Sequence, residues 1–213
     1  MFFKSAASDF AYPMERLFNM SIPMNKFADG LKRGEYLPIF KSKDDFKKEN
    51  YRPVSCLSAM STFFENQYMN QMKDFLLQIY ADKLSAFRKK YGCGHVLING
   101  TDEWKCSLDN GNIVGVILMD LSKAFDCLPH KLFISKLHAY GFSLEACALM
   151  ASYLSGRRQR VKLQGFKGNW YHLRKGVPQG SILGPVFFNI FTNDLLFVIN
   201  EKMTIMQMTT QLL

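Results

Sequence analysis

The stretch IVGVILM (113–119) constrains this chain more than any other. It is a continuous run of β-branched and aliphatic residues, interrupted only by Gly115, with DNGN before it and Asp120 after it. Such a run, bounded by turn signals, predicts a strand buried on both faces. A strand of that kind needs layers on either side of it, and the composition can supply them. Apolar residues make up 48% of the 213 positions, with 19 Phe and 9 Tyr. A chain with that much to bury and only 21% charged residues is not a disordered one.

The pattern before the run is mostly helical. Residues 1–35 predict a helix or two, with apolar positions at Phe10, Met14, Leu17 and Phe18. YLPIF (36–40) predicts a short strand, and the lysine-rich KSKDDFKKENYRP after it a solvated connection. Ser58 to Tyr80 repeats aromatics at three- and four-residue steps (Phe63, Phe64, Tyr68), and residues 96–108 predict another helix ending before DNG. Beyond the run, Pro129 opens a helix that Gly141 ends, and Ser143 caps a second that Gly156 ends. RQRVKLQGFKGNWYHLRKG predicts a basic hairpin turning at Gly165 and Gly168. GVPQGSILGP is a turn-rich loop, and a helix follows from about 185 to 198. The fold class is α+β in two lobes: a helical, basic region over 1–110 and a β–α–α–hairpin–loop–α series over 111–200.

Charge narrows the partners. The formal balance is +9, which favours a polyanion, nucleic acid above all. Five cysteines, an odd number without a CxxC pair, indicate a reduced intracellular chain with no disulfide-linked partner. Cys93 and His95 alone are too few ligands for a metal. Residues 181–200 are apolar enough to suggest a membrane span, but Asn189, Asn193 and Asp194 interrupt them. An Asp in hydrocarbon costs about 2.5–3.5 kcal/mol even on a lenient scale, so a buried helix is the better reading, with no membrane contact.

Asp120, at the end of the run, is placed where a carboxylate can be held rigidly beside a hard cation such as Mg²⁺. Asp120 or Asp126 could equally cap the helix near Pro129, the more natural role for Asp126. The glycines of GVPQGSILGP (Gly176, Gly180, Gly184) permit close backbone approach to a ligand but match no phosphate-loop spacing. Arg157, Arg158, Arg160, Lys162, Arg174 and Lys175, interleaved with aromatics, suit a nucleic-acid backbone track, with a solvated hairpin face as the alternative.

Taken together, VGVILMDLSKAFDCLPHKLFISKLHAYGF, SYLSGRRQRVKL and GVPQGSILGPVFFNIFTNDL closely resemble the reverse transcriptase of non-LTR (LINE-type) retrotransposons. PIFKSKDDFKKENYRPVSCLSAMSTFFE is similar to the fingers of the same family. The resemblance spans roughly residues 10–200. It implies right-hand polymerase fingers over 1–110 and a partial palm over 111–200, without the C-terminal palm strands and thumb. It implies that Asp120 is the first catalytic aspartate and a ligand of two Mg²⁺ ions, with the Leu121 backbone carbonyl assisting. Phe125 would lie under the incoming sugar, Pro178, Gln179 and Gly180 against nucleotide and template, and Arg52 on the triphosphate, with Lys41 or Lys43 helping. The implied partners are an RNA template, a DNA primer and a dNTP.

Two metals held about 3.5–4 Å apart need several carboxylates, in this family a further Asp pair in a Tyr-Ala-Asp-Asp motif. After Asp194 this sequence has no aspartate, and Glu201 is its only acid. Residues 201–213 end in TIMQMTTQLL. One legal coding of Asn-Tyr-Ala-Asp-Asp, AAT TAT GCA GAT GAC, read one base late gives Ile-Met-Gln-Met-Thr, the residues at 205–209. The tail thus reads as the motif out of frame, with no structural role. The chain is then an inactive polymerase fragment, or else a nucleic-acid-binding remnant or pseudogene product.

Overall fold

A computed structural model describes residues 7–41, 43–88, 91–119, 121, 124–163, 165–199 and 203–205. Helix α1 (Ala7–Ser21) leads through a 3₁₀ turn at Asp29–Leu31 into strand β1 (Arg33–Phe40). A second 3₁₀ turn, Lys48–Asn50, precedes β2 (Tyr51–Leu57), and the long helices α2 (Ala59–Ile79) and α3 (Cys93–Asp109) follow. After a 3₁₀ turn at Ala124–Asp126 come α4 (His130–Ala139), α5 (Leu144–Leu154), β3 (Arg158–Leu163), β4 (Phe166–Lys167), β5 (Tyr171–His172), α6 (Leu183–Asn193) and the single turn α7 (Leu195–Val198). The protein is mixed α and β with one small mixed sheet.

The sheet runs β2–β1–β3–β4, with β5 also on β3. β1 pairs antiparallel with β2 and parallel with β3, so strands from opposite halves of the sequence share it. β4 and β5 pair with the two ends of β3, as the basic hairpin requires. β2 is the element the sequence hides. It starts inside the lysine-rich stretch and contains Pro53, which is tolerated because β2 lies at the sheet edge.

Helix boundaries follow their caps. Ser58 Oγ accepts from the Ser61 amide and Ser143 Oγ from the Ala146 amide, opening α2 and α5. α4 ends with Gly141 at φ 92°, where the Phe142 amide donates to Leu137 O and the Gly141 amide to His138 O. That pair of bonds closes the last turn and requires a left-handed residue, which glycine supplies without strain.

The core is aromatic. Phe18, Phe27, Phe64, Tyr68, Phe133, Tyr153 and Phe187 are all buried. Phe27 meets Tyr153 edge-on at 5.0 Å between ring centres, and Phe133 meets Phe187 at 4.6 Å. The polar residues of α6 tie this core to its surroundings. Asn193 Nδ2 donates to Ile79 O and Tyr140 Oη, Asn193 Oδ1 accepts from the Ala81 amide, and Asn189 Nδ2 donates to Ala86 O. Lys136 pairs with Asp194 at 2.7 Å. Among the described residues no helix is long and apolar enough to cross a membrane.

Two expectations are corrected. Residues 113–119 form no strand, and Ile113, Ile117 and Leu118 are 98, 84 and 84% exposed. A doubly buried strand exists only where a sheet offers it hydrogen-bonding neighbours and layers on both faces. No described strand pairs with this run, because the sheet forms on β1 instead. The tail has a structural contact after all: Ile205 O accepts from the Ser85 and Ala86 amides, in a parallel bridge between Leu84 and Ile205. Residues 206–213 lie outside the described residues.

Candidate functional site

The loop from Gly176 to Ser181 is held by a bond at almost every residue. The Gly176 amide donates to Leu128 O at 2.7 Å, and His130 Nε2 donates to Gly176 O at 2.7 Å. The Val177 amide donates to Phe125 O at 2.8 Å. Gln179 O accepts from the Ser55 amide of β2 at 2.7 Å. Ser181 Oγ donates to Pro178 O at 2.8 Å and accepts from the Gly184 amide at 2.9 Å. The loop therefore bridges the Ala124–Asp126 turn, α4, β2 and α6.

Two glycines make this seating possible. A Cβ on Gly176 would lie 2.6 Å from Phe125 O, and one on Gly180 2.9 Å from Ser55 O. Both residues also have positive φ, at 80° and 102°. Here the glycines serve close backbone packing within the protein.

The consequence is that Phe125 and Gln179 become neighbours across one turn. Gln179 Nε2 donates to Asp126 Oδ1 at 3.4 Å. Phe125 packs between Phe87 and Phe188, at 5.7 and 5.4 Å between ring centres. Pro178 is buried, Gln179 half-buried and Gly180 exposed. Asp126 caps nothing: the N-cap of α4 is Pro129, without a side-chain bond. Arg52 is half-buried on β2 opposite Ile39, three residues from the Ser55 that holds the loop. Lys41 and Lys43 are exposed just beyond β1. Asp120, expected to be the metal ligand, lies outside the described residues, and Leu121 is exposed. Among the described residues no group of three His, Cys, Asp or Glu could hold a metal ion. The described carboxylates therefore do not make up a two-metal centre.

The basic hairpin divides into three kinds of residue. Arg158, Arg174 and Lys175 are exposed. Arg160 and Lys162 are partly spoken for by Glu35, whose carboxylate accepts from Arg160 Nε at 3.0 Å and lies 3.2 Å from Lys162 Nζ. The Arg160 bond first, and the Lys162 bond next, hold the Glu35 carboxyl below its ordinary range. Arg160 also stacks on Trp170, its guanidinium carbon 4.4 Å from the ring centre. Arg157 corrects the sequence reading outright. It is only 2% exposed, donates to Tyr153 O at 3.2 Å and lies over the Tyr153 ring at 4.6 Å. Placed first in the strand-entry turn, it points to the core and not to a backbone track.

Sequence reasoning passed over Glu65. It is fully buried, and burial raises its carboxyl above the usual range against the pull of its hydrogen bonds and of Arg157. The signal was present: Ser61, Phe64, Glu65 and Tyr68 share the buried stripe of α2, where an acid is out of place. A cavity of about 690 Å³ lies elsewhere, between α1 and α2, lined by Phe10, Met14, Phe18, Met60 and Phe63. It is apolar and shares no residue with the loop.

The family profile described as reverse transcriptase (RNA-dependent DNA polymerase) matches residues 40–211, from the end of β1 into the tail. The chain is 29% identical over 182 residues to a probable RNA-directed DNA polymerase from transposon BS of Drosophila melanogaster, covering 84% of this chain and 20% of that protein. It is 25% identical over 188 residues to the RNA-directed DNA polymerase from mobile element jockey of Drosophila funebris, again covering 84% and 20%. A probable polymerase from transposon X-element of Drosophila melanogaster is 26% identical over 184 residues, with the same coverage. The chain thus spans about a fifth of the length of these relatives. A profile covering most of the sequence, with these relatives beside it, shows that the chain belongs to the reverse transcriptase family, on its non-LTR retrotransposon side.

Proposed function

We propose that this chain is fingers (1–110) and part of the palm (111–200) of an RNA-directed DNA polymerase, with a nucleotide and template surface at Phe125, Gln179 and Gly180 and the buried Pro178 supporting it from beneath. The observation that carries the reading is the bonding of the Gly176–Ser181 loop to both the Phe125 turn and β2. That bonding gathers the aromatic platform, the loop amide and the Arg52 strand into one region. Phe125 would support the sugar of a bound dNTP, and Arg52, which has no ion pair with a described residue, would meet its phosphates. Arg158, Arg174 and Lys175 would follow the backbone of an RNA template and DNA primer.

The family uses divalent metal ions to join a primer 3′-hydroxyl to the α-phosphate of a dNTP. Mg²⁺ would be carried by Asp120 and the Leu121 carbonyl, but no second aspartate group follows Asp194 in this sequence. We therefore propose that the 213-residue chain binds without polymerising. A primer-extension assay on homopolymer RNA, with Mg²⁺ or Mn²⁺, is expected to give no product; clear extension overturns this. If the tail is the catalytic motif one base out of frame, the encoding DNA spells Ala-Asp-Asp in the neighbouring frame across codons 204–210. Any other reading of those bases removes that explanation.

The second reading, a non-enzymatic nucleic-acid-binding remnant, is favoured by the exposure of Arg158, Arg174 and Lys175. It expects RNA or DNA binding that falls steeply with salt and is unchanged by Asp120→Ala. Loss of binding in that variant would count against it.

A further inference from the structure

The backbone of the Gly176–Ser181 loop is held by backbone groups, His130 and Ser181, while the Gln179 side chain reaches the Asp126 carboxylate. A second carboxylate grips the backbone at the loop's exit. Glu65 Oε2 accepts from the Ile182 amide at 2.7 Å, across 117 residues of sequence. Ile182 is the N-cap of α6 and offers no side-chain cap of its own. Ser181, the local capping residue, already accepts from Gly184 and donates to Pro178 O. A carboxylate at this helix start also meets the positive end of the helix dipole. Glu65 therefore supplies from α2 a second cap, at the Ile182 amide, beside the one that Ser181 gives at the Gly184 amide.

The carboxylate is itself fixed. Its Oε1 accepts from Tyr153 Oη at 2.9 Å and faces Ser61 Oγ at 3.4 Å. Arg157 lies on the Tyr153 ring and balances its charge; Nη2 has no described hydrogen-bond partner, and Nη1 bonds only Tyr153 O. Burying a lone carboxylate is costly unless it is paired and bonded. Here each oxygen is used, and what the group grips is the residue next to the loop. Arg157 also lines a cavity of about 10 Å³ with Tyr36, Ser55 and Pro178, so this cluster touches the loop from behind.

We propose that Glu65, held by Tyr153 and charge-balanced by Arg157, is a positioning residue that sets the Pro178–Gly180 loop for contact with a nucleic-acid duplex. This rests on the reading of that loop as the nucleotide and template surface. Hydrogen exchange on the full chain tests the positioning itself. Glu65→Ala is expected to raise exchange at Gly176–Ile182 at least tenfold, while amides of α4 and of α5 away from Tyr153 keep their protection. Glu65→Gln is expected to restore most of that protection, because its amide oxygen still accepts from Ile182. Tyr153→Phe, a milder change that keeps the ring, is expected to give a smaller rise at the same amides. Unchanged exchange in the loop, or a rise shared equally by α4, α5 and the loop, would overturn the proposal. The second measurement is affinity for an RNA–DNA hybrid as salt is varied. Glu65→Ala is expected to weaken binding several-fold with the salt slope unchanged, since no phosphate-binding cation is lost. A changed slope would refute positioning. If the unaltered chain binds no hybrid, the functional reading fails, and the exchange result still decides whether Glu65 holds the loop.

Discussion

A methyl group at position 176 would sit 2.6 Å from Phe125 O and 2.7 Å from the Asp126 backbone, in a left-handed residue. Left-handed strain costs about 1–2 kcal/mol and overpacking about 1–3 kcal/mol. Gly176→Ala is therefore expected to destabilise the protein by about 2–5 kcal/mol in denaturant melts. Glu35 gives a prediction in pH. Its carboxyl is held below its ordinary range, first by Arg160, so the ionised form favours folding. That contribution is present above the ordinary carboxylate range, and it is lost as pH falls through the depressed value. Arg160→Ala is expected to move the Glu35 titration, followed by NMR, upward toward the ordinary carboxylate range. At this scale the sequence was legible in parts. Gly176 and Gly180 announced close approach, but not that the approach is to Phe125 and Ser55. Arg157 and Arg158 are chemically alike and adjacent, and only the turn before β3 decides that the first goes inward.

The hairpin β3–β5 shows what a charge pattern leaves out. Its cations could be counted in the sequence, but Glu35 comes from β1, 125 residues earlier, and only the parallel β1–β3 pairing brings it opposite Arg160. Four cations remain open to a polyanion: Arg158, Lys167, Arg174 and Lys175. Alanine at any one of them is expected to lower the slope of log affinity against log salt by about 1. Arg157→Ala is expected to leave that slope alone and lower the melting temperature instead, since it strips a buried counter-charge. Fluorescence anisotropy with a labelled hybrid, beside thermal melts, separates the two outcomes. Helices were the legible elements because local caps and apolar stripes define them: Ser58, Ser143 and Gly141 all sit where those rules put them. β2 was not legible, since an edge strand with lysines before it and a proline inside it carries no alternation to read.

For the whole molecule, the sheet joins both halves of the sequence through β1 and β3, while α6 fastens the 79–86 connection by Asn189 and Asn193. Long-range closure of this type is set by pairing partners far apart in the chain, which is why 113–119 misled. Its apolar run states what the segment would do inside a sheet, not whether a sheet will receive it. Left outside, the segment has a consequence for the protein's lifetime. A short, exposed, apolar peptide on the surface is what chaperones and quality-control proteases sample when they sort chains for destruction. The double change Ile117→Lys and Leu118→Lys alters two residues that are each 84% exposed. It is expected to lengthen the half-life in a pulse–chase experiment while leaving the melting temperature of the purified chain unchanged. A cell would then judge this protein less by the stability of its aromatic core than by seven residues that the core never recruited.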